Sequence, residues 1–156
     1  MIAAKGYGRA AVQAAAETGL PVWLGISAAR RGDGTLGTFD DLGDGDSFED
    51  LLSALADPSL AAVTVMHAEP DVIPDAIGII GHHYAGPIGA YAETGGWAPP
   101  NWVFDGLTPA DYLRQAIAWA ERGAQIIGGC CGTGPEHIRA LADTLGGHRT
   151  TRGQQI

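Results

Sequence analysis

The sequence predicts an α/β fold with four parallel strands and covering helices. Three observations lead there. Apolar runs beginning at Pro21, Leu60, Pro87 and Ala124 alternate with helical patterns, at a spacing that suits consecutive βα units. The runs are continuously apolar rather than alternating, as in strands covered on both faces. Helix start and stop signals fall between them at the expected places.

Taken in order, Arg9 to Thr18 is alanine-rich and reads as a helix, with Gly19 past its end and Pro21 stopping it. Pro21 to Ile26 is the first strand. Ser27 to Asp46 reads as a long loop rich in Gly and Asp. Its acidic run from Asp40 to Asp46 lacks the spacing and closing Glu of a calcium loop and reads as solvated chain. Ser47-Phe48-Glu49-Asp50 has the form of a capping box and opens a helix that ends before Asp57-Pro58. Leu60 to Met66 is the second strand, with His67 immediately after it.

Asp71 to Ile80 reads as a short helix with Pro74 in its first turn, and Pro87 to Tyr91 as the third strand. Ala92 to Gly106 is then a loop carrying Trp97 and Trp102, which are read as loop packing. Thr108, Pro109 and Asp111 supply an N-cap, a proline at the first helical position and an acid in the first turn. That helix runs to Arg122 and stops at Gly123. Ala124 to Ile127 is the fourth strand, and Pro135 to Leu145 the last helix. Residues 1–145 read as one domain and 146–156 as a polar tail.

Composition excludes several classes of function. A net charge of −9 opposes nucleic acid or an anionic membrane as partner. No apolar run reaches transmembrane length, and the first residues lack a signal-peptide core. With 46% hydrophobic and 17% charged residues the chain is globular. Two adjacent cysteines make no disulfide framework, so a reducing cytoplasm is the expected setting.

The chemistry concentrates at Gln125 to Ile138, which holds both cysteines of the chain, Cys130 and Cys131. They fall between a strand and a helix, at the end of the sheet where α/β proteins place their sites. Successive strand residues point to opposite faces, so two thiols sharing one site require the backbone to leave strand geometry. Gly128, Gly129 and Gly132 give it that freedom. Residue chemistry leaves three roles open for the pair: ligands for a soft metal such as zinc, a strained vicinal disulfide, or inert buried thiols.

The string GGCCGTGPEHI closely resembles the C-terminal zinc motif of the homocysteine S-methyltransferase family, and the similarity runs from about Ala11 to Leu145. The resemblance implies a (β/α)8 TIM barrel in which zinc holds the homocysteine sulfur for transfer of a methyl group from a donor. The four strands match the last four of the eight, so the chain reads as the C-terminal half of that barrel. A homodimer, or a second chain, is expected to complete it.

The resemblance also implies a ligand set. A family motif of the type Asn-Cys-Thr-x-Pro, which carries a third zinc cysteine, matches Met66-His67-Ala68-Glu69-Pro70. His67 stands in the cysteine's place. His67, Cys130 and Cys131 are therefore the expected metal ligands, with one position open.

Tyr91 to Gly95 matches a pocket-lining segment of the type Tyr-Pro-Asn-Ser-Gly. Tyr91 and Gly95 are kept and are expected to contact substrate, while Ala92 and Glu93 replace Pro and Asn. His82 and His83 precede the third strand, at the far end of the sheet, and are excluded. His137 is expected to serve the helix rather than a metal. His148 falls in the polar tail.

Two alternatives to a methyltransferase follow from the same residues. One is a non-catalytic metal-binding or interaction module that completes a barrel. The other is an inactive remnant.

Overall fold

The computed structural model describes residues 4–38, 46–104 and 106–146. Helix α1 (Lys5–Ala16) leads into strand β1 (Trp23–Ser27), followed by β2 (Ala29–Arg30) and β3 (Leu36–Gly37). Then come α2 (Phe48–Leu55), β4 (Ala62–Ala68), α3 (Ile73–His83) and β5 (Ile88–Ala92). Strands β6 (Gly96–Ala98) and β7 (Asn101–Val103), helix α4 (Pro109–Glu121), strand β8 (Ile126–Ile127) and helix α5 (Pro135–Leu145) complete the order.

The four principal strands form one parallel sheet in the order β1-β4-β5-β8, half of a (β/α)8 barrel with helices outside it. Helix ends follow side-chain chemistry. The Asp50 N–H donates to Ser47 Oγ at 3.0 Å and the Asp111 N–H to Thr108 Oγ1 at 3.2 Å, which caps α2 and α4 as expected. After α4 the chain turns through Gly123 at φ +112°.

One face of the sheet carries the core. Leu24, Ile26, Val63, Val65 and Ala90 belong to a single buried cluster with Leu51, Leu52 and Leu55 of α2, Ile73, Ile77 and Ile80 of α3, and Tyr112 and Trp119 of α4. On the other face, glycines of two strands lie against larger side chains of β4. A Cβ at Gly25 would meet Met66 Sδ, and one at Gly89 would meet the Thr64 side chain, so Met66 and Thr64 lie across space those glycines vacate.

Four expectations need correction. The stretch from Ser27 is not wholly loop, because β2 and β3 pair antiparallel within it. The Ala92–Gly106 loop likewise contains the antiparallel pair β6–β7. Both are hairpins of two- or three-residue strands, too short to leave a periodic pattern. Helix α1 begins four residues earlier than Arg9, and α3 runs on through His82 and His83. The acidic run at 39–45 and the tail at 147–156, including His148, lie outside the described residues.

Candidate metal centre

At the C-terminal end of the sheet, β4 and β8 flank β5 and bring three side chains together. His67 Nδ1, Cys130 Sγ and Cys131 Sγ all lie within 4.8 Å of one another. The sulfurs are 3.9 Å apart, and the nitrogen is 3.8 Å from Cys130 Sγ and 3.6 Å from Cys131 Sγ. The two residues expected to contact substrate lie on or just after the element between them. Tyr91 lies on β5 and Gly95 just beyond it.

Local backbone explains how His67 reaches the cluster. Strand β4 does not end before His67, as the sequence suggests, but continues to Ala68 with a register shift between Met66 and Ala68. His67 is the bulged residue, at φ +49°, the one non-glycine with positive φ among the described residues. A bulge re-aims a side chain that regular pleating would send elsewhere, at a cost of order 1–3 kcal/mol. Here it aims the imidazole at the thiols.

The cysteine loop solves the problem of two adjacent thiols facing one site. After Ile127 the chain leaves the strand while still bonded to β5, with the Gly128 N–H on the Ala90 carbonyl and the Cys130 N–H on the Ala92 carbonyl. The loop then turns, and the Thr133 N–H donates to the Cys130 carbonyl. Gly132, at φ +81°, supplies the left-handed residue the turn requires. Gly128 has a different task, since a Cβ there would collide with the Tyr91 ring.

Two further contacts lock the loop. The Thr94 N–H donates to the Cys131 carbonyl at 2.8 Å. The fully buried Tyr112 hydroxyl reaches the carbonyls of both Ala92 and Gly128, at 3.1 and 2.7 Å. His137 is buried in the first turn of α5, where its Nδ1 accepts from the Gly134 N–H and its Nε2 lies 2.9 Å from the Leu107 carbonyl. It serves the helix start, as expected. His82 and His83 end α3 away from the cluster, with His83 beside Glu49 and Ser53.

Sequence reasoning missed one residue. Glu93, 8% exposed, places Oε2 at 3.2 Å from His67 Nδ1. The signal available was its place two residues after Tyr91, where an acid replaces a neutral Asn. Burial raises the Glu93 carboxyl above its ordinary value, with the nearby His67 opposing and Glu69 adding to the shift. Burial also raises the Cys131 thiol, reinforced by Cys130 and by Glu93. Burial thus penalises the anionic forms of both groups, a cost that a bound cation would relieve.

The donor set fits zinc. A tetrahedral ion with Zn–S near 2.3 Å and Zn–N near 2.0–2.1 Å spans about 3.8 Å between sulfurs and about 3.6 Å between sulfur and nitrogen. The observed spacings match both edges. Two cavities, of about 460 and 690 Å³, lie elsewhere: one beside α1 and α2 at Leu20 and Leu60, the other around Arg30, Asp75 and His82. No helix is long and apolar enough to cross a membrane among the described residues.

Comparison with known proteins agrees with this architecture. The family model described as homocysteine S-methyltransferase matches residues 5–145. A selenocysteine methyltransferase of Astragalus bisulcatus is 31% identical over 110 residues, covering 65% of this chain and 31% of that protein. The homocysteine S-methyltransferase YbgG of Bacillus subtilis (strain 168) is 35% identical over 81 residues, 51% of this chain and 26% of its own length. The match thus spans about a third or less of each of these relatives.

Proposed function

Because this chain belongs to the homocysteine S-methyltransferase family, we propose that it forms the metal-bearing half of a barrel that captures homocysteine for S-methylation to methionine. The observation that carries this is the meeting of His67, Cys130 and Cys131 at the C-terminal end of the sheet, at tetrahedral spacings. These three residues would hold zinc. Zinc, when bound, acidifies a thiol at its open position, so that a group with a free pKa of about 8.5 is available as thiolate at neutral pH.

The remaining work falls to the chain. The bulge at His67 and the turn at Gly132 fix the donors before substrate arrives, which limits reorganisation on binding. Tyr91 on β5 and Gly95 just beyond it would form the wall against which the substrate lies. The substrate sulfur forms a bond to the methyl carbon, and the donor's heteroatom departs with the electron pair of the bond that breaks. A sulfonium, ammonium or folate donor satisfies that balance. Two free thiols also suit a reducing compartment such as the cytoplasm.

Four strands leave β1 and β8 at the edges of the sheet, with Trp23 of β1 55% exposed. A second set of four units would cover those edges and complete the pocket, and a second copy of this chain is one source of it. A metal-binding module without activity is the alternative from a different class.

Zinc stoichiometry and sedimentation, followed by a homocysteine-dependent methyl-transfer assay, separate the two. Zinc with transfer supports the enzyme, and zinc without transfer supports the module. Protein prepared with zinc present yet free of metal on elemental analysis excludes both.

A further inference from the structure

The loop that carries the thiols is held by more than its own turn, because groups on either side take both cysteine carbonyls. The Cys131 carbonyl accepts from the Thr94 N–H at 2.8 Å. The Cys130 carbonyl accepts from the N–H and the Oγ1 of Thr133, at 3.2 and 2.7 Å. One residue further on, the Gly134 N–H donates to His137 Nδ1 at 3.0 Å, and His137 Nε2 reaches the Leu107 carbonyl at 2.9 Å. Leu107 follows Gly106, where a Cβ would collide with the Thr94 carbonyl. The path thus returns to Thr94, where it began.

We propose that His137 is a positioning residue for the metal centre, the link that closes this ring of contacts around Cys130 and Cys131. The proposal rests on the metal-centre reading above and deepens it.

The chemistry of the link is fixed by its partners. A backbone N–H only donates and a carbonyl only accepts, so the ring carries its proton on Nε2 and keeps the lone pair on Nδ1. Both polar atoms of a side chain 7% exposed are thereby satisfied. Glu136 Oε1, 3.6 Å from Nδ1, is itself an acceptor and does not compete with Gly134 for that lone pair. The ring stands edge-on to Tyr112 at 5.8 Å, and the Tyr112 hydroxyl holds the Gly128 carbonyl at 2.7 Å. Two buried side chains in contact therefore grip the thiol loop at its entry and at its exit.

Helix capping does not account for the second bond. A capping box needs only an acceptor for the N-cap N–H, which a Glu or Gln at the same position supplies. The Leu107 bond leaves the helix and joins it to a segment 30 residues earlier. That segment borders Thr94 through Gly106 and Gly95 through Phe104, whose Cδ1 would lie 2.8 Å from a Cβ at Gly95. Donors held at metal spacings before the ion arrives require bracing of this kind from residues outside the ligand set.

The test is amide hydrogen exchange on the metal-free full chain, with the visible spectrum of the Co²⁺-loaded chain as a second readout. The amides of Thr94 and Thr133 bond to cysteine carbonyls, not to His137. In His137→Leu their protection is expected to fall about tenfold or more relative to buried Val65 of β4. The Co²⁺ ligand-field bands are expected to move as well. His137→Gln offers both an acceptor and a donor and is expected to restore most of each change. A residue that serves only the helix would lower protection at Gly134 and in the first turn of α5 while leaving Thr94 and the Co²⁺ bands as in wild type. That result overturns the proposal.

Gly106→Ala breaks the ring on its far side and is expected to lower protection at Gly134. Added to His137→Leu it should change little more, and strictly additive effects overturn the proposal. Should His137→Leu fail to fold, Gly106→Ala alone decides, since a ring predicts loss at Gly134 and separate contacts predict loss at Thr94 only. A wild-type chain that takes up neither zinc nor Co²⁺ overturns the metal-centre reading, and the exchange comparison still decides whether His137 positions the thiols.

Discussion

The Thr94 N–H donates to the Cys131 carbonyl at 2.8 Å, joining the loop that follows β5 to the loop that carries both thiols. Gly132 sits at this junction with φ +81°, and a Cβ there would lie 2.6 Å from Thr94 Oγ1 and 2.9 Å from the Gly95 N. The two loops can be this close only where no side chain intervenes.

Gly132→Ala is therefore expected to destabilise the protein by about 1–3 kcal/mol, from the left-handed backbone and the clash together. Urea unfolding gives the stability. The same variant should weaken metal binding, because the thiols move with the loop. Unchanged stability would show that the loops separate without cost.

Tyr112→Phe keeps the ring against Trp119 and His137 but removes the hydroxyl's bonds to the Gly128 carbonyl and to the Ala92 carbonyl, which keeps only the Cys130 N–H. The expected loss is about 1–3 kcal/mol at neutral pH. Burial holds the Tyr112 phenol well above the ordinary tyrosine range. A folded pKa above the unfolded one means that this group's contribution is fully present below about pH 10 and is lost as pH rises through the folded value. Wild-type stability should thus fall in strong alkali, with Tyr112 ionising late in a tyrosinate titration. The late component should vanish in the variant.

Cys130→Ser and Cys131→Ser are each expected to abolish stoichiometric zinc. Two thiolates supply most of the negative charge among His67, Cys130 and Cys131, and a serine hydroxyl stays protonated at neutral pH. Elemental analysis after dialysis reads the outcome. Retention of a full equivalent by either variant would remove that cysteine from the ligand set.

His67→Cys in a Glu93→Gln background isolates the effect of the residue at 67. Three thiolates make the zinc centre negative, whereas two thiolates and an imidazole leave it neutral and a stronger Lewis acid. The histidine centre should capture a thiol at lower pH and alkylate it more slowly once ionised, since nucleophilicity falls with thiol pKa along a Brønsted slope of about 0.4–0.5. The measurement is alkylation of a captured thiol by a simple methyl donor across pH. If His67→Ala keeps full zinc affinity, His67 is no ligand and the comparison loses its basis.

Much of this was legible before any coordinates. The caps at Ser47 and Thr108 announced their helices because a short polar side chain before an apolar period has one favourable use. The meeting of His67 with Cys130 and Cys131 was expected from the resemblance, which set His67 in the place of a family ligand.

Glu93 was not legible in the same way. Whether an acid after a strand points into solvent or into the sheet depends on the neighbouring strand's register, and that register shifts at the His67 bulge. The bulge left only a weak local signal, for His is enriched among non-glycine residues in left-handed backbone yet adopts it in a small minority of cases. The hairpins were missed because two or three residues cannot display a period.

Adjacency of the two cysteines has a consequence for assembly. Three donors arrive on only two segments of chain, 63 residues apart between His67 and Cys130. The thiols are already joined before folding begins, so a metal ion caught by both needs a single further closure to gain the third donor. Such a pair acts as a tethered chelate with high effective concentration, and the closure entropy grows only slowly with the intervening length. Metal capture by the cysteine loop can therefore precede the docking of β4, and the ion would then favour the register that brings His67 to it.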